Sequence, residues 1–374
     1  MAFPCSNLTT YQSCYSFGAI ASERTWRTPW RALLGAWAAR IVICLAVWMV
    51  ALLPSAARAL DRTHLAVIVN TQDPLSVRIG EYYAERRQIL FQNVIKVSFP
   101  PDRATLTREE FAAIKAQVES QTLQYMQAYA LTWAAPYRVE CMSITSAFAF
   151  GFDPRFCAEG CRPTLASPYF NSPVQLPFAQ LRIRPTMAIA ATSFEQAKAL
   201  IDRGVESDAT FPSGTVYLLS TSDQARNVRN VSYPLVERIL GDRLRVRRLE
   251  QDFLIGAADV LFYFTGKANV EGLETLSFVP GAIADHLTSA GGMLTDSGQM
   301  SALQWLEAGA TASYGTVVEP CALPQKFPSP VVAVGRYLQG ETLIEAYWKS
   351  VLMPGQGIFI GEPLAAPFRP AAVR

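Results

Sequence analysis

Short unbroken apolar runs alternate along this chain with longer stretches in which apolar positions recur at helical spacing. The first such run is Leu65-Ala66-Val67-Ile68-Val69, and a strand of that kind needs cover on both faces. Thr71-Gln72-Asp73-Pro74 then gives a turn and a helix start. Residues 76–87 follow with Val77, Ile79, Tyr82 and Tyr83 in a helical pattern. Residues 93–97 read as a second strand. Thr107-Arg108-Glu109-Glu110 opens a helix that the pattern carries to about Ala130, and 137–142 reads as a third strand. Further on, strands are predicted at 186–191, 214–219, 243–249, 259–265, 291–295 and 310–315. Between and after them come helices at 193–203 (stopped by Gly204), 234–240, 298–308, 331–338 and 341–352. This alternation predicts an α/β fold with a largely parallel sheet flanked by helices.

Residues 146–178 break the rhythm. They are rich in Phe, Pro, Ser and Gly and contain Cys157 and Cys161. A structureless run of that length is usually functional or stapled. Its aromatics, Phe150, Phe156 and Tyr169 among them, either line a binding surface or pack the segment onto the body. The domain reading is therefore a leader at 1–59, an N-terminal α/β part at 60–185 carrying this insertion, and a second α/β part at 186–374.

The leader changes the picture of where the protein works. Ile41–Leu53 is apolar and uncharged, Arg24, Arg27, Arg31 and Arg40 precede it, and Ala57-Arg58-Ala59 follows. That order is a secretory signal peptide with cleavage near Ala59 and a periplasmic or secreted product. The apolar run falls short of the roughly 20 residues a membrane span needs, so an inner-membrane anchor is the alternative. The net charge of +2 belongs to this leader, and residues 60–374 are slightly acidic. Nucleic acid is not an expected partner. A protein, peptide or glycan of the cell envelope is, with the membrane touched only through an uncleaved leader. Cys141, Cys157, Cys161 and Cys321 remain after cleavage and in an oxidising compartment imply two disulfides. Of the three pairings, Cys157–Cys161 with Cys141–Cys321 is the preferred expectation. A C-x3-C spacing with no nearby histidine does not suggest a metal site, and no cofactor is expected.

Ligands of parallel sheets bind beyond the carboxyl ends of strands. Three such ends carry polar groups: Lys267 and Asn269 after 259–265, Asp296 and Ser297 after 291–295, and Glu319 after 310–315. Asp285, His286 and Ser289 lie close by in sequence. An imidazole beside a hydroxyl, oriented by a carboxylate, would make a hydrolase. The candidate catalytic residues are thus His286, Asp285, Ser289, Asp296 and Ser297. Adjacent Asp and His point different ways on a strand, so Asp285 is a poor orienter for His286.

Two resemblances bear on this reading. Residues 305–315 (WLEAGATASYG) and Gly361-Glu362-Pro363 resemble the C-terminal half of the caspase-like fold of gingipain-type cysteine peptidases. That family's catalytic histidine and cysteine are replaced here by Phe264-Thr265-Gly266-Lys267 and Thr295-Asp296-Ser297-Gly298. The resemblance implies the fold without the usual dyad, since a thiolate needs a base within hydrogen-bond reach. The strings FVPGAIADH, ADHLTSAGG and EAGATASYGTVVEPC are also similar to an uncharacterised exported bacterial family found alongside exosortase protein-sorting systems. The implied role is a non-catalytic binding or accessory protein; the alternative is a hydrolase with a rearranged Ser/His/Asp site.

Overall fold

A computed structural model describes residues 60–158 and 160–371; the leader read at 1–59 lies outside them. In chain order the elements begin with β1 (Leu65–Asn70), α1 (Pro74–Arg87), β2 (Val94–Val97), β3 (Thr105–Leu106), α2 (Arg108–Gln121) and β4 (Ala128–Leu131). Next come β5 (Arg138–Val139), β6 (Met142–Ser143), α3 (Ile144–Phe150), α4 (Pro177–Leu181), β7 (Thr186–Ala188), α5 (Phe194–Ser207) and β8 (Thr215–Ser220). The last third holds α6 (Tyr233–Leu240), β9 (Arg245–Glu250), β10 (Val260–Thr265), β11 (Phe278–His286), α7 (Leu303–Glu307), β12 (Ala312–Thr316), α8 (Pro330–Leu338), α9 (Leu343–Trp348) and β13 (Gly357–Gly361).

Ten strands form one sheet in the order β2-β1-β4-β7-β13-β12-β11-β10-β8-β9, so both parts of the chain enter it. Every neighbouring pair is parallel except β12 with β13, where Ala312 faces Gly361 and Thr316 faces Gly357. The sheet is therefore two parallel halves of five strands meeting at one antiparallel seam. The carboxyl ends of the two halves lie on opposite edges. Helices cover it, and alternation along the strands feeds two cores. Val216, Leu218, Phe262, Phe264 and Ile283 join the larger one. Tyr217, Leu219, Tyr263 and Ala284 join a smaller one with Met300 and Trp305.

The helix starts follow their caps. Asp73 accepts from Leu75 N ahead of a proline-led α1. Thr107 and Glu110 close a capping box on α2, as do Ser193 and Gln196 on α5. Several expectations are corrected. α2 ends at Gln121, and β4 occupies what the pattern gave to the helix. In place of one strand over 137–142 stand β5 and β6; β5 pairs with β3 and β6 with β5 in a separate small sheet. Residues 291–295 form turns, and the strand in that region is β11. The helix expected over 298–308 shrinks to α7. Gly204 does not stop α5; a Cβ there would lie 2.5 Å from Glu362 Cγ, so its role is close approach.

The disulfides are Cys141–Cys157 and Cys161–Cys321, which overturns the preferred pairing. The short turn Pro154–Phe156 seats Phe156 against Phe150, with rings stacked at 4.4 Å, and this places Cys157 beside Cys141. Cys161 is left to reach Cys321. The segment 146–178 is thus stapled twice. Its aromatics pack inward: Tyr169 and Phe156 are buried and Phe150 lies edge-on to Trp348.

Candidate functional site

The carboxyl ends of β8, β10, β11 and β12 share one edge, where a parallel half-sheet presents ligand-binding groups. β11 sets its geometry. Neighbours on a strand face opposite sides, so Asp285 enters the larger core and His286 the smaller. Asp285 is buried, 2.6 Å from Arg229 Nη1, and accepts from Tyr347 Oη at 2.9 Å. Burial raises its pKa, with Arg229 and Tyr347 pulling the other way. It is part of a buried ion pair and does not touch the imidazole.

His286 is 1 % exposed. Trp305 Nε1 lies 2.9 Å from its Nδ1, and its Nε2 lies 3.2 Å from Met300 O. An indole N–H only donates, so Nδ1 accepts and the proton sits on Nε2, donated to the Met300 carbonyl. Burial lowers the imidazole pKa to about 4, and the ring is neutral at ordinary pH. Both nitrogens are occupied, neither by a hydroxyl. This corrects the triad arrangement of His286 with Ser289 or Ser297.

Most of the other candidates are also bonded to their neighbours. Ser297 Oγ donates to Ala290 O at 2.9 Å and accepts from Gln299 N at 3.0 Å. Asp296 is exposed and accepts from the buried Tyr137 hydroxyl; burial and that carboxylate raise the phenol's pKa. Ser289 is half-buried and offers its carbonyl to Thr316 Oγ1 at 3.0 Å. Glu319 is exposed and caps Cys321 N at 2.7 Å. Lys267 is drawn aside to Asp252 at 2.5 Å, above the Phe253 ring. Asp252 also accepts from Ser222 N and Oγ; Lys267 and those two bonds hold its pKa down at about 2. Asn269 is exposed beside them. Phe150, Phe156 and Tyr169 belong to the packing of the stapled segment rather than to this edge.

Sequence reasoning missed several of the residues that organise this edge. Arg226 donates through Nε to Thr288 Oγ1 at 3.1 Å and pairs with Asp223 at 3.0 Å. Thr288 donates to Gln299 Oε1 at 2.7 Å, and Gln299 also takes Ala290 N. Thr221 Oγ1 donates to Gly266 O at 2.6 Å and ties the exits of β8 and β10. Arg226–Thr288, Thr221–Gly266 and Thr288–Gln299 join residues 62, 45 and 11 apart in sequence, and no local motif marks them. Among the described residues no group of three or more His, Cys, Asp or Glu is arranged to hold a metal. On this edge the hydroxyls of Ser297, Thr316, Thr221 and Thr288 bond carbonyls, an amide and a guanidinium.

The chain matches no family model, and no curated protein matches it. Among solved structures it is similar to a complex of the pro- and mature domains of RgpB from Porphyromonas gingivalis. The identity is 9%, over 81% of this chain and 79% of that one, with a TM-score of 0.44. It is also similar to a structure described as a protease, at 10% identity over 83% of this chain and 79% of that one, with a TM-score of 0.39. At that distance neither likeness carries a residue's role across to this chain.

Proposed function

We propose that this protein is an exported accessory protein that binds a protein, peptide or glycan of the cell envelope. In this reading the scaffold is caspase-like without the peptidase dyad, and the protein works alongside exosortase-type sorting. The observation that carries it is the imidazole of His286, whose two nitrogens are taken by Trp305 and the Met300 carbonyl. A general base must be within hydrogen-bond reach of the proton it abstracts. The two disulfides support an oxidising compartment. Among the described residues no helix is long and apolar enough to cross a membrane.

The test is labelling of the purified protein with a fluorophosphonate and with a thiol-directed peptidyl ketone. No covalent adduct is expected from either. A stoichiometric adduct that disappears in His286→Ala would overturn the reading in favour of the hydrolase. N-terminal sequencing of the exported product, expected to begin near Leu60, tests the compartment separately.

A further inference from the structure

Arg184 is, like Lys326, a buried cation without a carboxylate partner. It is 9 % exposed, yet among the described residues no ion pair reaches it, whereas buried charges are normally paired. Arg229 has Asp285, and Arg87 has Glu362. Arg184 donates through Nε to Met126 O at 3.0 Å. Its guanidinium carbon lies 3.2 Å from the Phe178 ring centroid and 5.4 Å from that of Tyr129. A guanidinium has five N–H donors in a planar fork, and packing of this kind fixes the plane while the Met126 carbonyl and the Tyr129 side chain use only part of them. Burial lowers the pKa, with Tyr129 and the charge of Glu119 partly offsetting it.

This side chain lines a cleft of about 710 Å³ together with Arg182, Glu119, Thr122, Gln124 and Phe178. Arg182 caps α4 and is exposed, its guanidinium carbon 5.4 Å from the Phe178 ring centroid. Two arginines against the one carboxylate of Glu119, which Lys115 also holds at 2.7 Å, leave the lining net positive. Phe178 closes the stapled segment, and the cleft therefore sits at the foot of the insertion.

We propose that this cleft binds the carboxylate of an acidic sugar, a hexuronate within an envelope glycan, on Arg184 and Arg182. Planar bidentate recognition of a carboxylate is what a pre-oriented guanidinium provides. The exposed Gln124 amide suits sugar hydroxyls. Glu119 in the same wall repels a run of adjacent carboxylates, so an acidic peptide is the poorer occupant. The inference rests on the binding reading above and names its ligand class.

The experiment is calorimetric titration of the purified protein with a disaccharide of one glucuronate and one neutral hexose. The same disaccharide with a neutral hexose in place of the glucuronate, a Glu-containing pentapeptide and inorganic sulfate serve as comparisons. The acidic disaccharide is expected to bind at least tenfold more tightly than any of them. Arg182→Ala, an exposed change, should weaken it about tenfold, and Glu119→Gln should strengthen it two- to fivefold. Arg184→Met, checked for folding by circular dichroism, should abolish it. Equal binding of acidic and neutral disaccharides, tighter binding of the peptide or of sulfate, no binding at all, or an affinity unmoved in both Arg182→Ala and Glu119→Gln would overturn the proposal. These outcomes are separate from probe labelling, which alone decides whether the protein is catalytic.

Discussion

His286 shows how a residue that invites a catalytic reading becomes structural once its surroundings are known. One histidine near a carboxylate and two serines is what a triad would need, and the sequence cannot say which face of β11 each occupies. Packing decides it: Trp305 donates to one nitrogen and a carbonyl takes the other proton. The folded state therefore disfavours the imidazolium. With a folded pKa of about 4 against the ordinary 6.5 of a histidine, the folded protein binds fewer protons than the unfolded chain between those values. The contribution to stability is complete above about pH 6.5 and is lost as pH falls through about 4. Its size is at most about 3 kcal/mol. Urea unfolding of wild type should thus weaken steadily between pH 6.5 and 4, and His286→Gln should show a flatter profile there. An unchanged profile would mean that the ring is not held neutral. The neighbouring pair makes a second prediction. Asp285→Asn leaves Arg229 buried without a charge partner, and breaking such a pair costs about 3–5 kcal/mol. The urea midpoint should drop accordingly at constant slope, and a loss below about 1 kcal/mol would show that the pair does not form.

Elements were legible where local chemistry and tertiary position agree. β1, β8 and β10 are unbroken apolar runs that become buried strands, and α1, α2 and α5 start at their caps. β11 was hidden because Pro280 and Gly281 argue against a central strand. Here they sit in a bulge: Val260 faces Phe278, Phe262 faces Ile283, and Gly281 takes a φ of +90°. β4 was hidden because Ala128-Tyr129-Ala130-Leu131 is as good a helix tail as a strand. β13, five residues with glycine at both ends, is specified by the strands around it. The polar edge was legible only as strand ends, since its bonds join residues distant in sequence. The disulfides likewise needed the fold. Cys161–Cys321 spans 160 residues of sequence and Cys141–Cys157 spans 16. On loop-closure entropy they are worth about 5 and about 3 kcal/mol. Replacing Cys161 and Cys321 together by alanine should therefore lower the melting temperature more than replacing Cys141 and Cys157. The reverse order would show that local packing, rather than chain entropy, governs these bridges.

At the scale of the whole molecule the seam matters most. β13 is made from residues 357–361 yet lies fifth of ten, parallel to β7 and antiparallel to β12. It is buried throughout. Nearby contacts bring distant parts of the chain to the same place. Arg87 at the end of α1 pairs with Glu362, Leu60 N donates to Glu345, and Arg369 donates to Leu60 O. Without β13 each parallel half would expose a long edge and the apolar faces that Ile358, Phe359 and Ile360 cover, and unpaired edges of that kind recruit other chains. The sheet is a set of non-local pairings, so it cannot close until this strand arrives. A chain ending at Gln356 should therefore lose cooperative thermal unfolding altogether, not merely a few kcal/mol, and should aggregate at concentrations where the full chain stays monodisperse. Adding the peptide 357–371 in trans should restore part of the native circular dichroism if the remaining strands hold the gap open. A truncated chain that still melted in one sharp transition would mean that the two halves are independent domains and that β13 only joins them.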